Sequence, residues 1–339
     1  MKMYKRLIPL ALALTLLAGC AQGGGGSSSQ AEEEVYIDRV VMQELEIENE
    51  AVALVSSPVA LSNMLVPEAS GKLEKKNGRA VIDYSNTGDG YVMVQFTGTT
   101  EKRLKVLVQG PSYSTDLKLQ YSYDLTPGQW TTFPLSDGNG SYTVTVCENT
   151  TGTKYAQVLS QSFTVKLKDE FAPFLRPNQY VDYSVAVNTV AKAEELAGGE
   201  TDPLKLVEKI YDYVVNNFTY DKQLAATVQS GYLPVLDNVL AAKKGICFDY
   251  AAVMTGMLRS QGVPCKLVTG YVPVSSGKTA YHAWISVWSE ETGWVEGAIY
   301  FDGSAWQRMD PTFASSGKSS DSIMKYIGDG TNYSPKYVY

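Results

Sequence analysis

Between Arg79 and Lys168 the chain alternates apolar and polar positions in short runs. Ala80–Tyr84, Tyr91–Phe96, Leu104–Val108, Ser141–Val146 and Gln161–Val165 are rich in β-branched and aromatic residues, the composition of a pleated, half-buried strand. Turn signals separate them: Asn86-Thr87-Gly88-Asp89-Gly90, Pro127-Gly128 and Asp137-Gly138-Asn139-Gly140. After Lys168 the period changes. Leu204, Val207, Ile210, Tyr211, Val214 and Val215 have helical spacing up to Phe218, with Asp202 as cap and Pro203 in the first turn. A second helix is predicted from Cys247 through Ala251, Ala252, Met254, Met257 and Leu258, ended by Gly262 and Pro264. Lys266–Val272, Ala280–Trp288, Trp294–Phe301 and Ser304–Met309 then read as strands, the last two joined by the two-residue hairpin signal Asp302-Gly303.

This order predicts two domains. Short strands at such spacing point to an immunoglobulin-like β-sandwich over residues 79–168. Helices followed by an antiparallel meander point to an α+β domain over 169–334. Residues 35–78 are expected to be a partly ordered lead-in. A chain of 339 residues, 44% of them apolar, suits two modest cores.

The N-terminus reads as an export segment. Lys2, Lys5 and Arg6 precede an apolar run from Leu7 to Leu17, which has the length of a signal core and is short for a membrane span. Its end, Leu17-Ala18-Gly19-Cys20, resembles the bacterial lipobox. That resemblance implies removal of residues 1–19, lipidation of Cys20 and a position outside the cytoplasm, anchored by lipid to the cell membrane. Residues 20–34 continue with four glycines, three serines and three glutamates, a composition that cannot bury a core and serves as a tether.

Charge narrows the partners. Losing the three basic residues of the export segment takes the net charge from −7 to −10. An acidic body with no basic stripe argues against nucleic acid. A charged fraction of only 19% with 23 tyrosines fits a folded extracytoplasmic protein.

The chain has one histidine, His282, and four cysteines. Zinc sites need several His or Cys ligands at close spacing, and neither spacing is present, so neither a metal nor another cofactor is expected. Cys147 and Cys265 read as small buried hydrophobes. Cys247 stands at a helix start behind Lys243 and Lys244, where positive charge and the helix terminus favour thiolate. A Cys247–Cys265 disulfide is ruled out if the helix forms, since about twelve helical residues separate its ends by roughly 18 Å. A Cys147–Cys265 bridge stays conceivable outside the cytoplasm.

Three ordered motifs sharpen the reading. Lys244-Gly245-Ile246-Cys247-Phe248-Asp249-Tyr250-Ala251, Tyr281-His282-Ala283-Trp284 and Asp310-Pro311-Thr312 resemble the cysteine, histidine and aspartate motifs of the transglutaminase-like superfamily. Leu258–Pro264 resembles the end of that family's helix, and Ile210–Asp221 its preceding helix and turn. The resemblance covers roughly residues 170–315. It implies a papain-like core, with the cysteine on a helix packed against an antiparallel sheet bearing His and Asp. It also implies roles: Cys247 as nucleophile, His282 as general base and then acid, Asp310 as the group that orients the imidazole. The Cys247 amide is a candidate oxyanion donor. Tyr220 and Trp284 are candidates for lining the site, although large aromatics more often fill cores. Asp249 reads as a cap partner and Arg259 as a surface or ion-pairing residue. Where the family commonly has a small residue and arginine after its Gly-x-Pro, this chain has Cys265 and Lys266.

The expected function is a cysteine-dependent acyl transfer on an amide or peptide bond, by a peptidase or amidase, or by a crosslinking transferase if an amine is the acceptor. The expected substrate is a protein or cell-wall peptide. The alternative is a non-catalytic binding or scaffold module of the cell envelope on the same fold.

Overall fold

A computed structural model describes residues 64–113, 119–229, 231–274, 278–290, 293–301, 306–308 and 334–339. The export segment, Cys20, the tether, Asp302-Gly303 and Asp310 lie outside the described residues.

The first eight strands form two antiparallel sheets. They are β1 (Glu74–Lys76), β2 (Ala80–Asp83), β3 (Tyr91–Phe96), β4 (Leu104–Gln109), β5 (Tyr121–Asp124), β6 (Trp130–Pro134), β7 (Gly140–Thr151) and β8 (Lys154–Val165). One sheet has the order β1-β2-β3-β6 and the other β5-β4-β7-β8. Period-2 alternation explains their packing: Ile82, Val92, Val94, Val106, Val144 and Val146 are fully buried. The sheets begin five residues before the expected boundary at 79, because Glu74–Lys76 pairs with Val81–Asp83 through its backbone. Its side chains are polar and carry no apolar pattern.

Helices follow: α1 (Val187–Ala197), α2 (Pro203–Asn217), and, after the short strand β9 (Thr219–Tyr220), α3 (Lys222–Thr227) and α4 (Leu236–Ala242). The Asp202 carboxylate accepts the Leu204 amide at 2.9 Å, and Pro203 fills a first-turn position where no donor is needed. A two-residue strand, β10 (Lys244–Gly245), runs parallel to β9 and leads directly into α5 (Cys247–Ser260). From Asp249 to Ser260 every residue of α5 is buried, which makes it the central helix of this part of the molecule.

The last sheet has the order β14-β13-β12-β11-β15, with β11 at Cys265–Val274, β12 at Lys278–Ser289, β13 at Gly293–Phe301, β14 at Trp306–Arg308 and β15 at Ser334–Val338. It is antiparallel throughout. Helix α5 packs on β11 and β12. Leu267, Ala283, Ile285 and Val287 supply the buried apolar face beneath it. No helix among the described residues is long and apolar enough to cross a membrane.

Residues on both sides of position 168 contribute to one connected core. The C-terminal segment is central to that connection. Ser136 Oγ donates to the Val338 carbonyl at 2.6 Å, and the Tyr339 ring packs edge-on against Tyr121 and Tyr123 of β5. Tyr180 lies 4.3 Å from Tyr339 and 5.7 Å from Tyr123, centroid to centroid.

Candidate active site

The loop into α5 is built around a buried carboxylate. Asp249, in the first turn, accepts the Ile246 amide at 2.8 Å and the Tyr232 hydroxyl at 2.6 Å. The first bond satisfies one of the amides that a helix start leaves without a partner. Asp249 is thus the cap partner the sequence predicts. Gly245 makes the turn possible, because a Cβ there would stand 2.6 Å from Asp249 Cβ.

Cys247 is the first residue of α5 and is half-buried, whereas Cys147 and Cys265 are buried. All three are free thiols. Three backbone amides act electrostatically on the Cys247 thiol: those of Ala283, Phe248 and Cys247 itself. Each lowers the thiol pKa, yet burial outweighs them and pushes it up to about 11. The thiolate expected from sequence is therefore corrected to a protonated resting thiol. The expected lysines do not change this. Lys244 is 2.9 Å from Asp221, and Lys243 is exposed in the left-handed turn that closes α4. Cys147 and Cys265 are also raised to about 11. Cys247 differs from them in its exposure and in the amides that act on it, not in acidity.

His282 lies in β12 opposite Gly270 of β11. Burial pulls its pKa down to about 4, so the imidazole is neutral near pH 7. Cys247 is coupled electrostatically to the residues on both sides of it: the Ala283 amide lowers the Cys247 pKa, and Cys247 raises that of the Tyr281 phenol. Cys247 and His282 therefore occupy the same end of β12. Tyr281 is held in place by donating to Thr269 Oγ1 at 2.8 Å and by an edge contact with Tyr271.

Tyr220 is half-buried at the end of β9, and its pKa is pushed up to about 12, first by burial and then by Cys247 and Asp249. Trp284 shares the His282 face by alternation but is only 2% exposed, and its ring tip fills the space above Gly270. Arg259 differs from expectation. It is 2% exposed and donates to three main-chain oxygens, of Cys265 at 2.9 Å, Arg176 at 2.8 Å and Tyr339 at 2.6 Å. It is not a surface residue, because main-chain oxygens from three segments converge where its planar fork can reach them. At the two positions that depart from the family pattern, Cys265 is buried with its sulfur 3.6 Å from Thr255 Oγ1, and Lys266 Nζ lies 3.7 Å above the Trp294 ring. Among the described residues, no group of three or more His, Cys, Asp or Glu side chains could hold a metal ion.

Tyr232 and Tyr281 were not marked as site residues by the sequence. Tyr281 adjoins the histidine in its motif. Tyr232 reaches Asp249 from 17 residues away and carries no local signal.

A half-buried cysteine at the start of a buried helix, packed on an antiparallel sheet whose second strand bears the one histidine, belongs to a mixed α/β domain. Residues 190–311 match the model of the transglutaminase-like superfamily, and the chain carries a domain of that superfamily. It is 30% identical over 115 residues to a protein-glutamine gamma-glutamyltransferase of Pseudomonas aeruginosa, a stretch that is 31% of this chain and 17% of that protein. It is 30% identical over 119 residues to an uncharacterised protein of Mycobacterium tuberculosis, covering 32% of this chain and 33% of the relative. The chain thus spans a third or less of these relatives' lengths. Among solved structures, the periplasmic domain of TgpA from Pseudomonas aeruginosa superposes with a TM-score of 0.31 at 17% identity, over 73% of this chain and 77% of that one. That likeness is too distant to carry a residue's role from one chain to the other.

Proposed function

We propose that this protein is a cysteine-dependent acyl-transfer enzyme in which Cys247 attacks an amide carbonyl, His282 takes the thiol proton and Asp310 orients the imidazole. The observation that carries this reading is the placement of half-buried Cys247 at the start of α5, a helix packed on the strand that bears His282. As the sulfur bonds to the carbonyl carbon, His282 accepts its proton and later delivers it to the leaving nitrogen. The C–N bond breaks and leaves a thioester. Water or an amine then attacks the thioester, giving hydrolysis or crosslinking. The superfamily match supports the reaction class, and the name of the Pseudomonas relative points to protein glutamine as acyl donor. The lipobox-like end at Cys20 supports an extracytoplasmic, lipid-anchored enzyme meeting envelope proteins or cell-wall peptides. We take the two sheets of residues 74–165 as an immunoglobulin-like sandwich that serves as a spacer.

One observation favours the scaffold alternative. Burial leaves both thiol and imidazole neutral, as an inert site would. The discriminating experiment incubates the protein with a glutamine-containing protein and a fluorescent primary amine, following amine incorporation and ammonia release. Product that disappears in Cys247→Ala and His282→Ala supports the enzyme. Incorporation or ammonia release that persists in both variants, or product from neither acceptor, counts against it.

A further inference from the structure

Asp249 is fully buried in a helix whose other buried positions are mostly apolar. Burying a carboxylate is costly unless its oxygens are bonded. Here both are. Oδ2 accepts the Ile246 amide at 2.8 Å, which is the cap itself. Oδ1 accepts the Tyr232 hydroxyl at 2.6 Å, which a cap does not require. Tyr232 comes from the segment between α3 and α4, so the carboxylate ties that segment to the residue immediately before Cys247. The absence of a Cβ at Gly245 lets the chain pass close enough for both bonds.

We propose that Asp249 and Tyr232 are a positioning pair for Cys247. Tyr232 holds the carboxylate and the carboxylate holds the Ile246 amide. The turn so held fixes where Cys247, the next residue, enters α5. The proposal rests on reading Cys247 as the nucleophile and names two residues that act through it without touching substrate.

The pair acts on charge as well as direction. Titratable groups converge here from every packed element: Tyr220 and Asp221 at the end of β9, Tyr232, Tyr250 on α5, and Tyr281 and His282 on β12. Asp221 is 2.9 Å from Lys244. Burial raises the Asp249 pKa and the hydroxyl that Tyr232 donates opposes that rise; the carboxylate's charge in turn opposes ionisation of Cys247. Direction and charge therefore push the thiol opposite ways, which gives the pair a signature that a passive cap lacks.

The test is the pH dependence of iodoacetamide labelling of Cys247 in the full chain, mapped by mass, with buried Cys147 and Cys265 as internal controls. Tyr232→Phe removes one donor and leaves the ring. It should loosen the turn, slow labelling several-fold at neutral pH and raise its midpoint. Asp249→Asn keeps an acceptor for the Ile246 amide and removes the charge. It should lower the midpoint by about half a pH unit, the sense expected when a neighbouring like charge is lost. Unchanged or parallel midpoints in the two variants, with only lower unfolding temperatures, would reduce the pair to a buried cap and overturn the proposal. His282→Ala in the same assay separates the two claims. If it leaves labelling unchanged while the opposed shifts remain, the positioning pair stands and the acyl-transfer reading falls.

Discussion

The backbone amide of Ala283 lowers the pKa of the Cys247 thiol, coupling the first residue of a helix to the strand residue that follows His282. Burial outweighs that effect. The thiol is raised to about 11 and the imidazole lowered to about 4, so both are neutral near pH 7. On the proposed mechanism a proton must pass from sulfur to nitrogen as the new bond forms.

Labelling kinetics should show this directly. With His282 as base, the rate of Cys247 alkylation should be nearly flat across neutral pH, fall as the imidazole protonates toward pH 4 and rise again, with the thiol's own midpoint, as the thiol ionises toward 11. In His282→Ala only free thiolate reacts, so the rate should climb about tenfold per pH unit toward 11. At pH 7 the variant should be slower by about a hundredfold, the lower end of general-base contributions. Matching profiles in the two proteins would mean that His282 does not act on the thiol.

Folding stability should respond to the same histidine. Its folded pKa of about 4 is below the ordinary 6.5, so its contribution is complete above pH 6.5. It is lost as pH falls from there through 4, where the unfolded chain binds a proton that the folded one resists. The shift corresponds to at most about 3 kcal/mol, less for the part of the ring that keeps water. No other histidine is present to blur the reading. Urea unfolding of wild type and His282→Gln at pH 7 and pH 4.5 should show a smaller acid loss in the variant.

Much of this was legible in the chain. The helix from Cys247 to Ser260 and the strands around His282 follow from apolar spacing and from glycine and proline stops. Asp202 and Pro203 mark the start of α2 within one residue. The missed parts have physical reasons. Helix α4 is seven residues long, and β1, β9 and β10 are two or three, too short for a period to emerge. Strand β15 follows a long interval after β14 and takes its place by pairing with β11, which no local pattern encodes. The thiol pKa could not be read either. The sequence shows the helix start and the lysines, but the depth of burial that outweighs them arises from tertiary packing.

Gly270 should tolerate no side chain. A Cβ there would overlap the Ser334 main-chain oxygen and stand 2.9 Å from both Pro335 Cα and Trp284 Cη2. Two of these neighbours are backbone, so strand β15 itself must move. Gly270→Ala should cost about 2 kcal/mol, within the usual range for overpacking a core. Thermal unfolding measures the cost. The change in Tyr339 solvent exposure should accompany it, since β15 ends at that cluster of rings.

Arg259 supplies the sharper test of what holds β15. Its guanidinium is buried, and three main-chain oxygens replace the water it lost. Two of those oxygens belong to Arg176 and Tyr339, 83 and 80 residues away in opposite directions along the chain (the third, of Cys265, opens β11). Hydrogen bonds to a charged group are worth about 1.5–3 kcal/mol each, and removing the donor leaves buried acceptors unpaired. Arg259→Ala should therefore destabilise the protein by about 4 kcal/mol or more. Arg259→Lys keeps the charge but not the fork, and its ammonium cannot span all three oxygens. The expected result is local. Leu267 and Tyr339 exchange main-chain bonds of 3.0 and 2.8 Å at the end of β15. Their amides should lose hydrogen-exchange protection in Arg259→Lys while those inside α5 keep theirs. If protection instead falls equally in α5 and β15, Arg259 supports the whole core and has no special hold on the C-terminal strand.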